Sequence, residues 1–292
     1  MSVVFVRAEI ASQPRTWREA VGLLPAVAAA LPQPGERVAV VGCGTSWFMA
    51  QAYAALREAS GHGETDAFSG SEYPLGRAYD RVLAISRSGT TTEVVGLLDG
   101  LADRPTTLLT GVTGSPAGAR AQASVVLDFA DEHSVVQTRF ATTALLLLRA
   151  HLGADVEPVI SDCAAALAVD VDHLLGVEQV TFLGRGWAYG LANEAALKAR
   201  EAAQFWAESY PSMDYRHGPI AIAQPGRLVW SLGRAPGGLR EQVVATGARF
   251  VEHHLDPLAG LVVAQRFALA LALGRGLDPD VPRSLTRSVI LP

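Results

Sequence analysis

Residues 81–93, RVLAISRSGTTTE, run from an apolar stretch straight into a burst of hydroxyls around a single glycine. The apolar part reads as a buried strand, and the segment after it reads as the start of a helix. Ser86, Ser88, Thr90, Thr91 and Thr92 therefore gather at a strand-to-helix turn with Gly89 in their midst. Hydroxyls, backbone N–H groups and a helix N-terminus converging in this way form an anion site suited to a phosphate. Glu93 at the helix start suits the macrodipole and can close a capping box. An ordinary turn with N-capping hydroxyls would have the same composition.

A second turn of the same kind stands upstream. VAVVGCGTS (38–46) is a continuous apolar strand followed by Gly42 and Gly44, then by Thr45 and Ser46, which open a helix. Two hydroxyl-rich strand ends suggest one shared crevice, because ligands of open parallel sheets sit outside the carboxyl ends of the strands. Neither turn fits the dinucleotide fingerprint. GCGTSW lacks the third glycine, and the acidic residue about 20 positions on is not clearly placed. No G-x-x-x-x-G-K-[ST] phosphate loop occurs either.

With 292 residues, 49% hydrophobic and 18% charged, the chain has the composition of a folded α/β protein. Its formal charge of -5 excludes a broad attraction for nucleic acid or acidic membrane, so an anionic ligand needs a local site. Cys43 and Cys163 give neither a disulfide framework nor a zinc-ligand spacing, and no metal or cofactor is expected. Reduced thiols and a cytoplasmic location are. Cys43 reads as a small structural residue, because no histidine partner is near it in sequence. The opening residues carry no signal-peptide pattern. The apolar stretches 141–148 and 258–273 are short or interrupted by Gln265 and Arg266, so they read as buried helices and not as membrane spans.

The element order expected is helix 16–31, strand 37–43, helix 46–59, strand 64–68, strand 81–86, helix 91–101, strand 106–112, a short helix 116–122 and strand 124–129. Helices 138–152 and 157–175 follow. This alternation is α/β, with a boundary near residue 170 dividing a first domain, 1–170, from a second, 171–292. The second half restarts with VEQVTFLGRGWAYG (177–190), which repeats strand, G-x-G, aromatic and helix in the order of VAVVGCGTSWFMA. An internal duplication is the reading. Helix 189–208, strand 228–232, helix 238–247, strand 249–255 and helix 257–274 complete a reduced second sheet unit.

Within helix 189–208, Glu194, Lys198 and Glu201 lie at i, i+4 and i+7 on one face. Lys198 is the only lysine of the chain. One reading is a pair of surface salt bridges. The other is a carboxylate base tuned by a neighbouring ammonium and by burial. Downstream, Tyr215-Arg216-His217-Gly218-Pro219 forms a polar loop whose histidine can act as an acid or base near neutral pH, although a lone histidine also serves as a hydrogen-bonded structural residue. His253 and His254 read as structural, because their spacing is wrong for a helical metal pair.

Taken together, GCGTS, ISRSGTTTE, the helix EAALKARE, the loop YRHGP and the tail GLDPDVPRSLTRSVILP resemble the sugar isomerase (SIS) family. The likeness is to the isomerase half of glucosamine-6-phosphate synthase and its stand-alone relatives, and even EIASQPRTW (9–17) is similar to the start of stand-alone members. The resemblance implies two SIS units in tandem, each a mainly parallel sheet flanked by helices. It also implies homodimers with shared active sites. By motif, Ser86, Arg87, Ser88 and Thr91 would hold the phosphate of a sugar phosphate, with Ser46 beside it, Val135 near the sugar, and Thr286 and Arg287 contributing from the tail. Glu201 would move the proton between C1 and C2, Lys198 would support it, and His217 would open the sugar ring from the partner subunit.

One position departs from the family pattern. The synthase tail carries a lysine that forms an imine with the ketose, but SLTRSV presents Arg287 there. A guanidinium stays protonated near neutral pH and does not serve as an imine nucleophile. With no glutaminase segment and a Met1-Ser2 start, glutamine-dependent amination is not expected of this chain alone. Aldose–ketose isomerisation or deamination of an amino-sugar 6-phosphate ranks first. The alternatives are dehydration of an N-acetylated substrate and a non-catalytic sugar-phosphate sensor.

Overall fold

A computed structural model describes residues 5–101 and 103–291. The expected α/β fold is present as two all-parallel sheets, of five and four strands. The chain begins with α1 (Phe5–Ala11), which was not expected, and α2 (Gln13–Val27), which with a 3₁₀ turn over Ala28–Ala30 stands where the helix 16–31 was expected. The first sheet is built from β1 (Val38–Gly42), β2 (Thr65–Ser69), β3 (Arg81–Ile85), β4 (Thr106–Thr110) and β5 (Ala123–Val126) in the order β2-β1-β3-β4-β5. All five residues of β1 are buried, as a strand covered on both faces requires. Helices α3 (Thr45–Ala59), α4 (Thr92–Gly100) and α5 (Arg139–His151) complete this part. α3 packs on β1 and β2, and α5 packs against α2 and α3.

Because the chain leaves β1 toward one side and β3 toward the other, connections diverge between these two neighbours. They pair in register with Val41 opposite Ala84 and so end side by side. This is the switch point at which parallel sheets bind ligands.

The second sheet contains β6 (Gln179–Gly184), β7 (Ala207–Pro211), β8 (Arg227–Leu232) and β9 (Arg249–Glu252) in the order β7-β6-β8-β9. It repeats the first order one strand short, which is the reduction expected. Helix α6 (Glu157–Ala166) packs on the last helix, α9 (Pro257–Gly274); α7 (Ala188–Ala203) packs on β6, β7 and α9; α8 (Leu239–Ala245) lies beside β9. α9 is long and apolar enough to cross a bilayer, but 72% of that stretch is buried inside the fold, so it is a core helix.

The G-x-G turns of the two halves share a backbone. Gly44 and Gly186 both have φ near +55°, which glycine adopts without strain. A Cβ on Gly42 would meet the Ser46 carbonyl carbon at 2.6 Å, and one on Gly184 would meet the Ala188 oxygen at 2.1 Å. Both first glycines thus let a helix pack directly on its strand.

Three expected elements differ. Residues 116–122 form turns, where Ser115 Oγ accepts the Gly118 N–H at 3.2 Å and Gly89 O accepts the Ala117 N–H at 2.9 Å. The helix expected over 157–175 stops at Ala166, and that expected over 189–208 stops at Ala203. There Gln204 turns left-handed (φ 49°), with Phe205 N–H reaching back to Ala199 O, and the chain enters β7. His253 and His254 lie just past β9, not on it.

Grouped by contacts, Ser12–His133, Gln137–Val156 and the tail from Thr286 form one compact unit. Phe5–Ala11, Ser134–Val136 and Glu157–Leu285 form the other.

Candidate active site

In the unit that carries the five-stranded sheet, Ser46, Ser86, Arg87, Ser88, Thr91 and Arg287 line a single cavity of about 30 Å³. That is the room of roughly two water molecules. Six of the residues expected to bind phosphate or sugar are therefore brought together. Ser86 Oγ accepts the Gly89 N–H at 3.2 Å. Ser88 Oγ accepts from the Thr90 N–H at 3.2 Å and from Thr90 Oγ1 at 2.9 Å. The loop can turn this tightly because Gly89 sits at φ +62°, where a Cβ would lie 2.1 Å from Ser115 Oγ.

The same turn is engaged by the C-terminal tail. Ser288 Oγ lies within hydrogen-bond distance of Thr90 Oγ1 at 2.9 Å, the Thr92 N–H donates to Val289 O at 3.1 Å, and the Leu291 N–H donates to Thr92 Oγ1 at 2.9 Å. One amide of the α4 N-terminus is thus occupied by a tail carbonyl. Thr91, its N-cap, makes no side-chain capping bond, so the capping geometry expected there is absent. Thr286 is exposed and donates to Ser288 O at 2.8 Å, bracing the tail itself.

Arg87 is almost fully buried. Its guanidinium faces the Glu132 carboxylate at 3.7 Å and donates to the Arg287 carbonyl at 2.9 Å. Glu132, equally buried, accepts through Oε1 from the Thr138 N–H (2.6 Å), Thr138 Oγ1 (2.8 Å) and the Arg139 N–H (2.9 Å), which fixes the start of α5. Arg287 donates to Asp131 Oδ1 at 2.5 Å and to the Glu132 carbonyl. Glu132, Asp131, Gln137 and Ser288 were not singled out from the sequence. Only a polar loop before a helix, ADEHSVVQTR, marked the first three.

Cys43 also lines this cavity. Burial pushes its thiol up, the Gly70 N–H opposes this, and the Glu93 charge adds to it. That is the opposite of an activated nucleophile and agrees with the small structural role expected.

In the other unit, α7 carries Glu194, Lys198 and Glu201 along one face. Lys198 Nζ lies 3.4 Å from Glu194 Oε1 and donates to Glu201 Oε2. Glu194 and Lys198 are buried, which removes the surface salt-bridge reading, while the Glu201 side chain keeps 20% of its surface exposed. Glu201 lines a cavity of about 360 Å³ together with Arg200, Gln204, Phe205 and the segment 283–285. His217 ends a short 3₁₀ turn, Asp214–His217, and is exposed; Gly218 behind it has φ +138°. Val135 donates its N–H to Asp280 O at 3.2 Å. Among the described residues, no group of three or more His, Cys, Asp or Glu is placed to hold a metal ion.

No family model matches the sequence. The chain is 27% identical to a glutamine–fructose-6-phosphate aminotransferase (isomerizing) of Methanothermobacter thermautotrophicus over 98% of its own length and 57% of the relative's. It is 28% identical to that of Sulfolobus acidocaldarius over 98% and 56%. It thus spans a little over half the length of these relatives. In structure it is similar to glucosamine-6-phosphate deaminase from Thermotoga maritima, with a TM-score of 0.80 and 24% identity over 98% of this chain and 99% of that one. The C-terminal domain of glucosamine-fructose-6-phosphate aminotransferase from Francisella tularensis gives a TM-score of 0.83 at 20% identity over 95% and 98%. Its two parallel sheets in repeated order share the fold of these structures, and over its whole length the chain resembles the isomerase domain of such aminotransferases and the phosphosugar isomerases and deaminases.

Proposed function

We propose that the chain is a phosphosugar isomerase or deaminase that acts, without glutamine, on an amino-sugar 6-phosphate by moving a proton between C1 and C2. The observation that carries this reading is the small polar cavity at the β1 and β3 exits, lined by four hydroxyls and two guanidiniums. Donors without a competing carboxylate oxygen on the cavity wall suit a phosphate ester. Arg87 and Arg287 would add charge there.

Glu201 is the proposed base. Its neighbour Lys198 pins the carboxylate by direct donation, and Glu194 holds Lys198 from the other side. His217 is the proposed ring-opening group; its exposure leaves it open to a second copy, in line with the homodimer proposed. Removing the C2 proton of an open-chain 2-amino sugar gives an enediol-like species. Reprotonation at C1 isomerises it, and hydrolysis of the resulting imine releases ammonia.

Purified protein incubated with glucosamine 6-phosphate and with N-acetylglucosamine 6-phosphate tests this, with ammonia, ketose phosphate and ultraviolet-absorbing unsaturated sugar followed together. Ammonia or ketose phosphate is expected. An unsaturated chromophore would select dehydration instead, and silence in every channel with binding intact would select a sensor. Glu201→Gln should lower turnover by roughly 10²- to 10⁴-fold while sugar-phosphate binding persists. Unchanged turnover would remove Glu201 from the mechanism.

A further inference from the structure

His217 is exposed at the end of the short turn Asp214–His217, and its imidazole makes no hydrogen bond to any described residue. A group that handles a proton has to be held within about 0.5 Å of its productive place, so here the order must come from the backbone that carries the ring. The two residues before it are both anchored. Tyr215 is completely buried in the cluster that contains Leu239 and Val243 of α8. Arg216 reaches the same region by hydrogen bonds: its Nε donates to Gln242 Oε1 at 2.6 Å, and its Nη2 donates to Gly237 O at 2.7 Å.

The form of this contact is informative. Nε and Nη2 share one edge of the guanidinium, so acceptors for both fix its plane as well as its position, which a single ammonium cannot do. The far end of the clamp is itself held, because Leu239 and Val243 have no exposed surface. Exposed hydrogen bonds of this kind add little to global stability. Their effect is local: the tyrosine brings the turn to α8, and the guanidinium sets its orientation.

We propose that Arg216 is a positioning residue that holds the His217 turn against α8 and so sets where the imidazole meets the sugar ring. This rests on the ring-opening role proposed for His217. Arg216 needs no contact with the substrate for it.

Arg216→Met keeps the aliphatic stem and removes both donors. Amide hydrogen exchange over residues 213–220 should quicken by about tenfold, because local opening is no longer held by the two bonds. In turnover of glucosamine 6-phosphate, kcat should fall about 10- to 100-fold, while the dissociation constant for inorganic phosphate stays within about twofold. His217→Gln should lose at least as much, and Arg216→Met added to His217→Gln should cost less than about twofold further, since the clamp then has no ring to position. Losses that multiply in the double variant would overturn the proposal, and so would unchanged exchange or an unchanged kcat in Arg216→Met. Wild-type turnover in His217→Gln, or no turnover in the wild type, would overturn the ring-opening reading and this inference with it. The exchange measurement reports on the clamp alone, so the two failures are told apart. Should Arg216→Met fold poorly, Gln242→Leu removes one acceptor from the other side and should give the same pattern with a smaller loss.

Discussion

Glu132→Gln is the perturbation that most directly tests how the cavity is held. The native pair buries both charges, with side-chain exposures of 1% for Arg87 and 0% for Glu132. Removing one partner of such a pair typically costs about 3–5 kcal/mol, because the other charge stays buried. Here the cost is smaller for two reasons read from the geometry. The charges stand 3.7 Å apart, a contact longer than a good hydrogen bond. The three bonds accepted by Oε1 can pass to the amide oxygen of glutamine, so the start of α5 survives. About 2–3 kcal/mol remains, which at this size corresponds to a fall in melting temperature of roughly 5–10 °C.

The same change leaves Arg87 less neutralised inside the cavity, so an anion should bind more tightly. Tenfold tighter binding adds about 1.4 kcal/mol at saturating ligand. Differential scanning with and without inorganic phosphate would check both halves: the variant melts lower without phosphate and gains more from phosphate than the wild type does. A loss below about 1 kcal/mol would refute the ion-pair argument. A phosphate increment equal to that of the wild type would refute the placing of Arg87 at the anion.

Gly89→Ala should cost about 2–4 kcal/mol, from backbone strain at φ +62° and from a Cβ 2.1 Å from Ser115 Oγ. Adding Ser115→Gly should return part of that in urea titration, because it relieves the clash and not the strain. Lys198→Met should destabilise by about 3–4 kcal/mol, since Glu194 stays fully buried without that ammonium, and Lys198→Met with Glu194→Gln should recover most of the loss. The pH dependence has a definite sign at His253. Burial, with His173 and His254 adding, holds its pKa below the ordinary 6.5, so in that interval the unfolded chain binds a proton that the folded chain does not. Stability should therefore fall as pH drops through 6.5 toward the lower folded value. Chemical denaturation of His253→Gln across pH 5–8 should give a flatter acid limb, and an unchanged limb would rule the residue out.

The strands legible in the sequence were those buried on both faces. β1, β3 and β6 are apolar runs cut off by glycine or hydroxyls, and a central parallel strand permits little else. β7 escaped because AESYP lies at a sheet edge and is only partly covered, and because the helix before it ends on Gln204 in a left-handed conformation that is usually left to glycine or asparagine. The hydroxyls of the cavity were legible for the reason the strands were: chain connectivity alone delivers them to the β1 and β3 exits. Glu132 and Asp131 depend on long-range partners, Arg87 and Arg287 among them, and no local periodicity records such a meeting.

Comparing the two G-x-G turns separates what glycine does from what the ligand needs. Gly42 and Gly184 both let a helix start against its strand, and Gly44 and Gly186 adopt the same φ, so this geometry belongs to the fold and carries no ligand by itself. The side chains that follow differ. The first turn continues with Thr45 and Ser46, whereas the second continues with Trp187 and Ala188, an aromatic and a methyl in place of two hydroxyls. If the backbone turn were sufficient for anion binding, both halves would offer a site. If hydroxyls are required, only the first can. Ser46→Ala should therefore weaken phosphate binding while leaving the β1–α3 packing intact. Installing serine at Ala188 should not create a second site, because β8, the counterpart of β3, is followed by Gly233-Arg234 and no hydroxyl cluster.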